Sequence, residues 1–337
     1  MKVLFHADGG VGVGLGHASR CRGLVGALLR AGHVAKVLVE ASSGLASNLS
    51  QFQVPIIEGS SEPVAFGREA DRMGADVMVI DSYRWGASDF TVLRNGKRFI
   101  VAFDDEARRE LPVDAIINGA PIASRLSYKA LPHTKMWLGP AYQVVREEFR
   151  NVPKRKAAGP VRALIVLVGG DDQLGLLPVL AEFLDGLAVR INPDVEIQLI
   201  CGPYAPSLNS ALRNIKVFRH PSDLRDRMLA ADLALSAGGQ TLYELARCGT
   251  PTIAFCSGQD QMHNLSALAE QDVVWDVGRA DQPGFLAAIQ NGILALASDE
   301  SCRNKMAMQG QIVVDGRGAD RVVVALEKMV RGENSGL

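Results

Sequence analysis

The sequence predicts an α/β protein built from two doubly wound domains, and three observations carry that prediction. Continuous apolar runs alternate with helical stretches through the first half of the chain. The same alternation starts again after a stretch rich in proline and cations between Arg150 and Pro160. The 337 residues also exceed the size at which a single core stops growing. Continuous rather than alternating apolar runs mean strands buried on both faces, hence parallel sheets covered by helices. In such sheets ligands bind outside the carboxyl ends of the strands.

Taken in order, Val3, Leu4 and Phe5 make a short first strand. Gly9, Gly10, Gly12, Gly14 and Gly16 follow, and a helix opens at His17. Cys21, Leu24, Val25, Leu28 and Leu29 fall at helical spacing, and Gly32 stands where a glycine stops a helix. Strands are read at 34–39, 54–57, 77–80, 99–103 and 115–117, with a helix over 63–73. Their ends carry Asp81-Ser82-Tyr83, Asp104-Asp105-Glu106 and Asn118-Gly119. The stretch from Arg150 to Pro160 reads as an exposed, solvated linker, which sets a domain boundary near residue 155. The domains expected are therefore 1–155 and 156–337. The second begins with a strand at 163–168 ending in Gly169-Gly170-Asp171-Asp172, then a helix over about 174–189. Further strands fall at 195–200, 217–218, 233–235 and 252–255, with a helix at 242–248 stopped by Gly249 and Pro251. A closing helix over 319–330 is expected to pack back on the first domain.

Composition narrows the function. With 47% hydrophobic and 22% charged residues the chain is globular, and a net charge of −1 argues against a nucleic-acid partner. Five scattered cysteines without a C-x-x-C pair fit a reducing compartment. No run reaches the roughly 18 apolar residues of a membrane span. The chain enters its first strand at once and reaches Asp8, leaving no room for a signal peptide, so a cytoplasmic location is expected.

Chemistry concentrates at two glycine-rich turns. A strand, a dense glycine turn and a helix N-terminus together offer N–H groups and a positive dipole end to an anion. At the mouth of the first such turn stands His17, a base near neutral pH, beside Gly14, Gly16 and Arg20. A dinucleotide fingerprint fails there, since its third glycine falls on His17 or Ser19, and no G-K-[ST] follows for a Walker loop. Glu40, at the next strand end, stands where such a fingerprint places its ribose acid, and a surface turn with an incidental histidine is the bland alternative. The second turn, Gly238-Gly239-Gln240-Thr241, opens the helix carrying Glu244. Thr241 can cap that helix or donate to a phosphate, and Glu244 can accept from two ribose hydroxyls or serve as a capping acid. Asp104-Asp105-Glu106 could chelate a metal but lacks a companion ligand, so it reads as solvated acids at a strand end. Asp171 and Asp172 read as caps of the following helix or as lining of the cleft, and His6 and His33 as packing or surface residues. Neither zinc spacing nor a G-x-S-x-G elbow occurs, so an enzyme without metal or cofactor is expected.

The run from Ala231 to Thr252 resembles the nucleotide-sugar signature of GT-B proteins such as the MurG glycosyltransferase. Ala-Asp-Gly-Gly at 7–10 and Gly-Leu-Gly-His-Ala-Ser-Arg-Cys at 14–21 are more specific. With Val-Ile-Asp-Ser-Tyr (79–83), Phe-Asp-Asp-Glu (103–106), Ile-Ile-Asn-Gly (116–119), the run at 138–149 and Val-Asp-Gly-Arg-Gly-Ala-Asp-Arg-Val (314–322), the chain resembles the PseG/SpsG family. That family contains the UDP-2,4-diacetamido-2,4,6-trideoxy-β-L-altropyranose hydrolase of pseudaminic acid biosynthesis. The resemblance implies a GT-B-like fold, with two Rossmann-like domains facing across a cleft that takes a UDP-sugar, its nucleotide held mainly by the C-terminal domain. It also implies inverting hydrolysis at the anomeric carbon, with His17 as general base and Tyr83 of the Asp-Ser-Tyr motif bordering the sugar. Asp81, Gly169 and Gly170 are carried as substrate-binding residues beside the two turns. Asp260, Gln261 and Asn264 match the segment that lies by the donor sugar in the family. This chain has Gln240 where the family tends to Ser or Thr, Tyr243 for Trp and Asp260 for Asn.

The physics of such a hydrolysis is simple. A UDP leaving group needs no strong acid, only positive potential on its pyrophosphate. One base and one water on the opposite face give single displacement and inversion. The functional expectation is a nucleotide-sugar hydrolase serving nonulosonic acid or surface polysaccharide synthesis. An inverting glycosyltransferase, or a binder without turnover, is the alternative.

Overall fold

A computed structural model describes residues 1–10, 12–40, 44–94, 98–206, 208, 212–258 and 261–333. The chain divides into two compact units: Met1–Glu147 with Gly316–Leu337, and Glu148–Asp315.

In the first unit the elements run β1 (Lys2–Ala7), α1 (Gly16–Arg30), β2 (Val34–Val39), α2 (Leu45–Gln51), β3 (Ile56–Glu58), α3 (Pro63–Met73) and β4 (Val77–Asp81). Then come α4 (Ala87–Leu93), β5 (Phe99–Phe103), β6 (Glu110–Leu111), β7 (Ala115–Asn118), β8 (Lys129–Ala130) and β9 (Lys135–Leu138). Seven strands form one sheet in the order β3-β2-β1-β4-β5-β7-β9, with β6 and β8 as a separate pair. Every pairing is parallel. The inner strands β4 and β5 are apolar from Val77 to Ile80 and from Phe99 to Phe103 because both faces are covered. On β1, Val3 and Phe5 pack among Cys21, Leu24 and Leu28 of α1, while Leu4 packs with Phe66, Met78 and Ile80 on the other side. Burying each such side chain contributes roughly 1.5–3 kcal/mol.

The second unit repeats the plan. β10 (Ala163–Leu167), α5 (Leu176–Ile191), β11 (Glu196–Cys201), β12 (Ile215–Arg219), α6 (Leu224–Ala230), β13 (Leu233–Ala237) and α7 (Thr241–Cys248) lead on to β14 (Thr252–Cys256). α8 (Met262–Ala269), β15 (Val274–Arg279), α9 (Phe285–Ser298) and α10 (Glu300–Val313) complete it. Its sheet is parallel in the order β12-β11-β10-β13-β14-β15. Each unit thus reverses direction beside its first strand, between β1 and β4 and between β10 and β13. That switch point is where doubly wound sheets open a crevice for ligands. Among the described residues no helix is long and apolar enough to cross a membrane.

The expected strands appear with ends shifted by a residue or two, whereas α9, α10, β9 and β15 are additions to the sequence reading. Two features differ more. The units part at Glu147, not near residue 155, because the segment after it is tied to the second unit. Arg247 donates to the carbonyls of Phe149 and Arg150 at 3.1 and 3.0 Å, and Phe149 is fully buried. Arg155 is likewise no solvated linker cation. It donates to the Leu229 carbonyl at 2.9 Å, to Thr250 Oγ1 at 3.2 Å and to the Ala231 carbonyl. Burial lowers its pKa below the ordinary guanidinium value.

The closing helix, α11 (Gly318–Val330), belongs to the first unit, where Ala319, Val322, Val323 and Leu326 join the core beside α1. Arg30 reaches Glu147 and Asp320, and His33 Nε2 lies 2.7 Å from Glu327. The backbone of Gly318 lies so close to Gln143 that a Cβ there would stand 2.0 Å from the Gln143 carbonyl oxygen. Gly318→Ala should therefore destabilise the first unit by at least about 1–3 kcal/mol through overpacking. A urea midpoint unchanged from wild type would show that this approach is not maintained in solution.

Candidate active site

The switch point of the first unit gathers a charged cluster from three strand ends and one helix start. β1 runs into Asp8, β4 ends at Asp81 and continues to Tyr83, and β5 is followed by Asp104 and Asp105. α1 supplies His17 and Arg20 from its first turns. Asp81 is 1% exposed and organises the rest. Its Oδ1 lies 2.6 Å from His17 Nδ1 and accepts from Arg20 at 2.6 Å, while its Oδ2 accepts from Arg20 Nε at 2.5 Å. The third face of the guanidinium goes to Asp105 Oδ2 at 2.6 Å, and its plane lies over the Phe103 ring. Tyr83 donates its hydroxyl to the same Asp105 oxygen at 2.9 Å and sets its ring edgewise against His17, with centroids 4.7 Å apart.

These contacts fix the charges. Burial alone would drive Asp81 towards its neutral form, but Arg20 and His17 outweigh it and hold the carboxyl well below the usual range. For His17, burial opposes protonation, as does its place at a helix N-terminus. The Asp81 carboxylate overrides both and raises the imidazole above its ordinary value. Tyr83 stays a phenol, pushed up by burial and by the Asp105 charge.

Around this core a second set of bonds holds the strand ends. Asp8 Oδ2 accepts from Ser82 Oγ at 2.8 Å and from the Tyr83 N–H at 3.2 Å, and Arg84 donates twice to Oδ1. Arg109 reaches the carbonyls of Ser82 and Trp85 at 2.8 and 2.7 Å. Asp104 Oδ1 accepts from the N–H groups of Glu106 and Ala107, which holds Ala107 at a left-handed φ of 54°. Asp104 is 1% exposed, and burial raises its carboxyl above the usual range.

Several expectations change here. The acids at 104–106 are not solvated: Asp104 is buried in a turn and Asp105 binds Arg20 and Tyr83. Asp81 and Arg20 spend their polar atoms on each other, on His17 and on Asp105, not on a surface offered to substrate. The glycine loop turns N–H groups inward, with Gly10 and Gly14 bonded to each other at 3.1 and 2.9 Å and Val13 bonded to the Gly10 carbonyl. Gly12 and Gly14 adopt φ of 79° and 81°, which this fold-back requires. What stays open beside His17 is the first turn of α1 at Gly16, which no side chain caps.

The second unit gathers its candidate residues at the carboxyl ends of β10, β13 and β14. Gly169 has φ 105°, and a Cβ on Gly202 would stand 2.4 Å from the Gly170 carbonyl oxygen, so the two turns touch. Asp172 caps α5, as expected, accepting from the N–H groups of Leu176 and Leu177 at 2.8 Å each. At α7 the cap position is Gln240, not Thr241, and its side chain makes no cap hydrogen bond. Gly239 precedes it, and Glu244 is buried one turn in. Gly238 packs against Gln261, whose carboxamide oxygen accepts from Ser257 N and Oγ at 3.0 and 3.2 Å. Asn264 on α8 has a buried Oδ1 without a hydrogen-bond partner, and Asp260 lies outside the described residues. The structure thus brings His17, Arg20, Asp81 and Tyr83 together in one unit, and Gly238 with Gln261 in the other. Asp105 and Asp8 were missed as members, since nothing in the spacing of an Asp-Asp-Glu or Ala-Asp-Gly run separates a clamp from a surface acid.

Comparison with known proteins agrees with this fold. The chain is 23% identical over 344 residues to the spore coat polysaccharide biosynthesis protein SpsG of Bacillus subtilis, covering 99% of this chain and 100% of that protein. It is 24% identical over 254 residues to a Helicobacter pylori protein named pseudaminic acid cytidylyltransferase and UDP-2,4-diacetamido-2,4,6-trideoxy-beta-L-altropyranose hydrolase. That match covers 74% of this chain and 43% of the longer protein. No protein-family profile matches. Among solved structures, the spinosyn forosaminyltransferase SpnP superposes with a TM-score of 0.69 at 14% identity, over 98% of this chain and 99% of that one. The fold is like that of this glycosyltransferase. In sequence the chain is similar to SpsG and, over part of its length, to the Helicobacter pylori protein.

The pKa shifts dictate how stability varies with pH. Folding favours protonated His17, so its contribution is complete below about pH 6.5, the ordinary imidazole value, and is lost as pH rises through the raised one. Asp81 works oppositely, contributing fully above about pH 4 and losing its contribution on acidification. Asp81→Asn removes both effects. The urea midpoint of the variant should be nearly flat between about pH 6 and 8, where wild type declines. An equal decline in the two proteins would disconnect His17 from Asp81.

Proposed function

We propose that the protein hydrolyses a UDP-linked amino-deoxy sugar at its anomeric carbon, with inversion, and serves polysaccharide or nonulosonic acid synthesis. The observation that carries this reading is the hydrogen bond between His17 Nδ1 and Asp81. With Nδ1–H given to the carboxylate, the free Nε2 lone pair is the proton acceptor, and the raised imidazole pKa makes it a stronger base. A water donates its proton to Nε2 as its oxygen attacks C1. The C1–O bond breaks, UDP leaves with the electron pair, and the proton stays on His17. Tyr83 borders the sugar.

The nucleotide is assigned to the second unit. The uncapped start of α7 at Gly238, Gly239, Gln240 and Thr241 offers N–H groups to the pyrophosphate. Gly169 and Gly170 leave room beside it, Glu244 is the candidate ribose acceptor, and the unpartnered Asn264 Oδ1 with Gln261 faces the sugar. Hydrolysis on this plan needs no metal, and EDTA should leave turnover unchanged. A cytoplasmic location fits its five unpaired cysteines. The names of the SpsG and Helicobacter pylori relatives support the pathway and the hydrolytic step.

The likeness of the fold to glycosyltransferases favours a second reading, in which an acceptor hydroxyl replaces water and loses its proton to His17. Release of UDP from the pure protein without acceptor decides between them: water-dependent turnover is expected, and release only with an acceptor would make it a transferase. His17→Asn should cut turnover by about 10²–10⁴-fold and leave UDP affinity near wild type. Retention of most activity would make His17 structural.

A further inference from the structure

We propose that Asp105 is a positioning residue of this cluster, holding Arg20 against Asp81 and turning the Tyr83 hydroxyl so that it can only accept a hydrogen bond from a ligand. The proposal deepens the reading of His17 as base and rests on it for its role in turnover. Asp105 Oδ2 takes two donors, Arg20 at 2.6 Å and the Tyr83 hydroxyl at 2.9 Å. A phenol has one proton to give, and here it is given inward. The remaining lone pairs of Tyr83, whose side chain is 38% exposed, require a donor, an amide N–H or a hydroxyl, from any group placed on them. A phosphate oxygen or a ketone is unsuited to that spot. The acetamido and hydroxyl groups of an amino sugar suit it.

Arg20 is equally constrained. Its three nitrogens are divided between Asp81 and Asp105, and it also stands 3.3 Å from His17 Nδ1. The groups facing His17 are Asp81 from the end of β4, Arg20 from its own helix, Asp105 from beyond β5 and the neutral Tyr83. The thiol of Cys21, one turn along α1, is held protonated by burial. With His17 neutral, the two carboxylates and one guanidinium leave one net negative charge beside the imidazole. Replacing Asp105 by Asn removes that excess and leaves Arg20 and Asp81 in balance next to the ring.

The test uses the full chain, without substrate, by heteronuclear NMR of labelled histidine and tyrosine. In Asp105→Asn the His17 titration should fall by about 0.5–1 pH unit relative to wild type. In the wild-type protein Tyr83, assigned with Tyr83→Phe, should remain un-ionised past the ordinary phenol value of about 10. An unmoved His17 midpoint in a folded Asp105→Asn protein, or a Tyr83 that ionises at the ordinary value, overturns the proposal. The tyrosine readout needs no variant at Asp105, so it decides even where Asp105→Asn fails to fold. Since neither measurement involves turnover, loss of the hydrolase reading (His17→Asn still releasing UDP) is a separate result. Where both hold, the acid limb of the kcat/KM profile should move with the His17 midpoint.

Discussion

Asp81 keeps a negative charge at 1% exposure, a placement that costs several kcal/mol unless the carboxylate is fully met by partners. Arg20 and His17 meet it through both oxygens, and each needs Asp81 in turn. The imidazole has its tautomer set by this bond, and the guanidinium would otherwise be a buried cation over Phe103. The three side chains form one unit, and removing the carboxylate leaves the imidazole without its partner and Arg20 with Asp105 alone. A surface histidine could be swapped without consequence. This one is bound to the end of the fourth strand.

The fold explains why those residues meet. In the first unit β1 and β4 are neighbours, so Ala7 pairs with Asp81 and the chain leaving β1 must cross the end of β4. The glycine loop brings it back into α1 within a few residues, which drops His17 onto Asp81. Asp8 then holds Ser82 and Tyr83 from the β1 side, and the Asp104 turn delivers Asp105 from the β5 side. The second unit has the same strand order but different chemistry at the same place. Where β10 and β13 end, glycines and a serine come first, and Asp172 turns to the N–H groups of α5. One sheet end is rich in acceptors, the other in backbone.

Much of this plan was readable from residue order. Apolar runs of four to six residues with helical patterns between them predict parallel strands on physical grounds, and Gly9 through Gly16 before a helix single out His17. Less readable were features that depend on partners distant along the chain. Arg155 looked like one of several linker cations, and only its carbonyl and hydroxyl acceptors around residues 228–250 reveal it as a strut. Asp105 sits in a run of acids whose ordinary fate is solvent, and its partners come from 22 and 85 residues away. β9 and β15 lie at sheet edges, where Lys135 and Asp276 break the apolar pattern that marked the inner strands. Local pattern reports burial well. It does not report which buried charge meets which.

The charge of the cluster also bears on the division of roles between the units. Asp81, Asp105 and Arg20 carry one net negative charge, and the N–H groups of Gly10, Val13 and Gly14 point into their own loop. A diphosphate set there would face like charge across a buried, weakly screened site. A water that gives up its proton has the opposite effect. As His17 becomes cationic the cluster passes from one net negative charge to none, so proton transfer relieves electrostatic stress instead of creating it. An imidazole placed this way gains basicity from the charge that repels phosphate. The same field that raises the imidazole pKa therefore disfavours a phosphate beside this cluster.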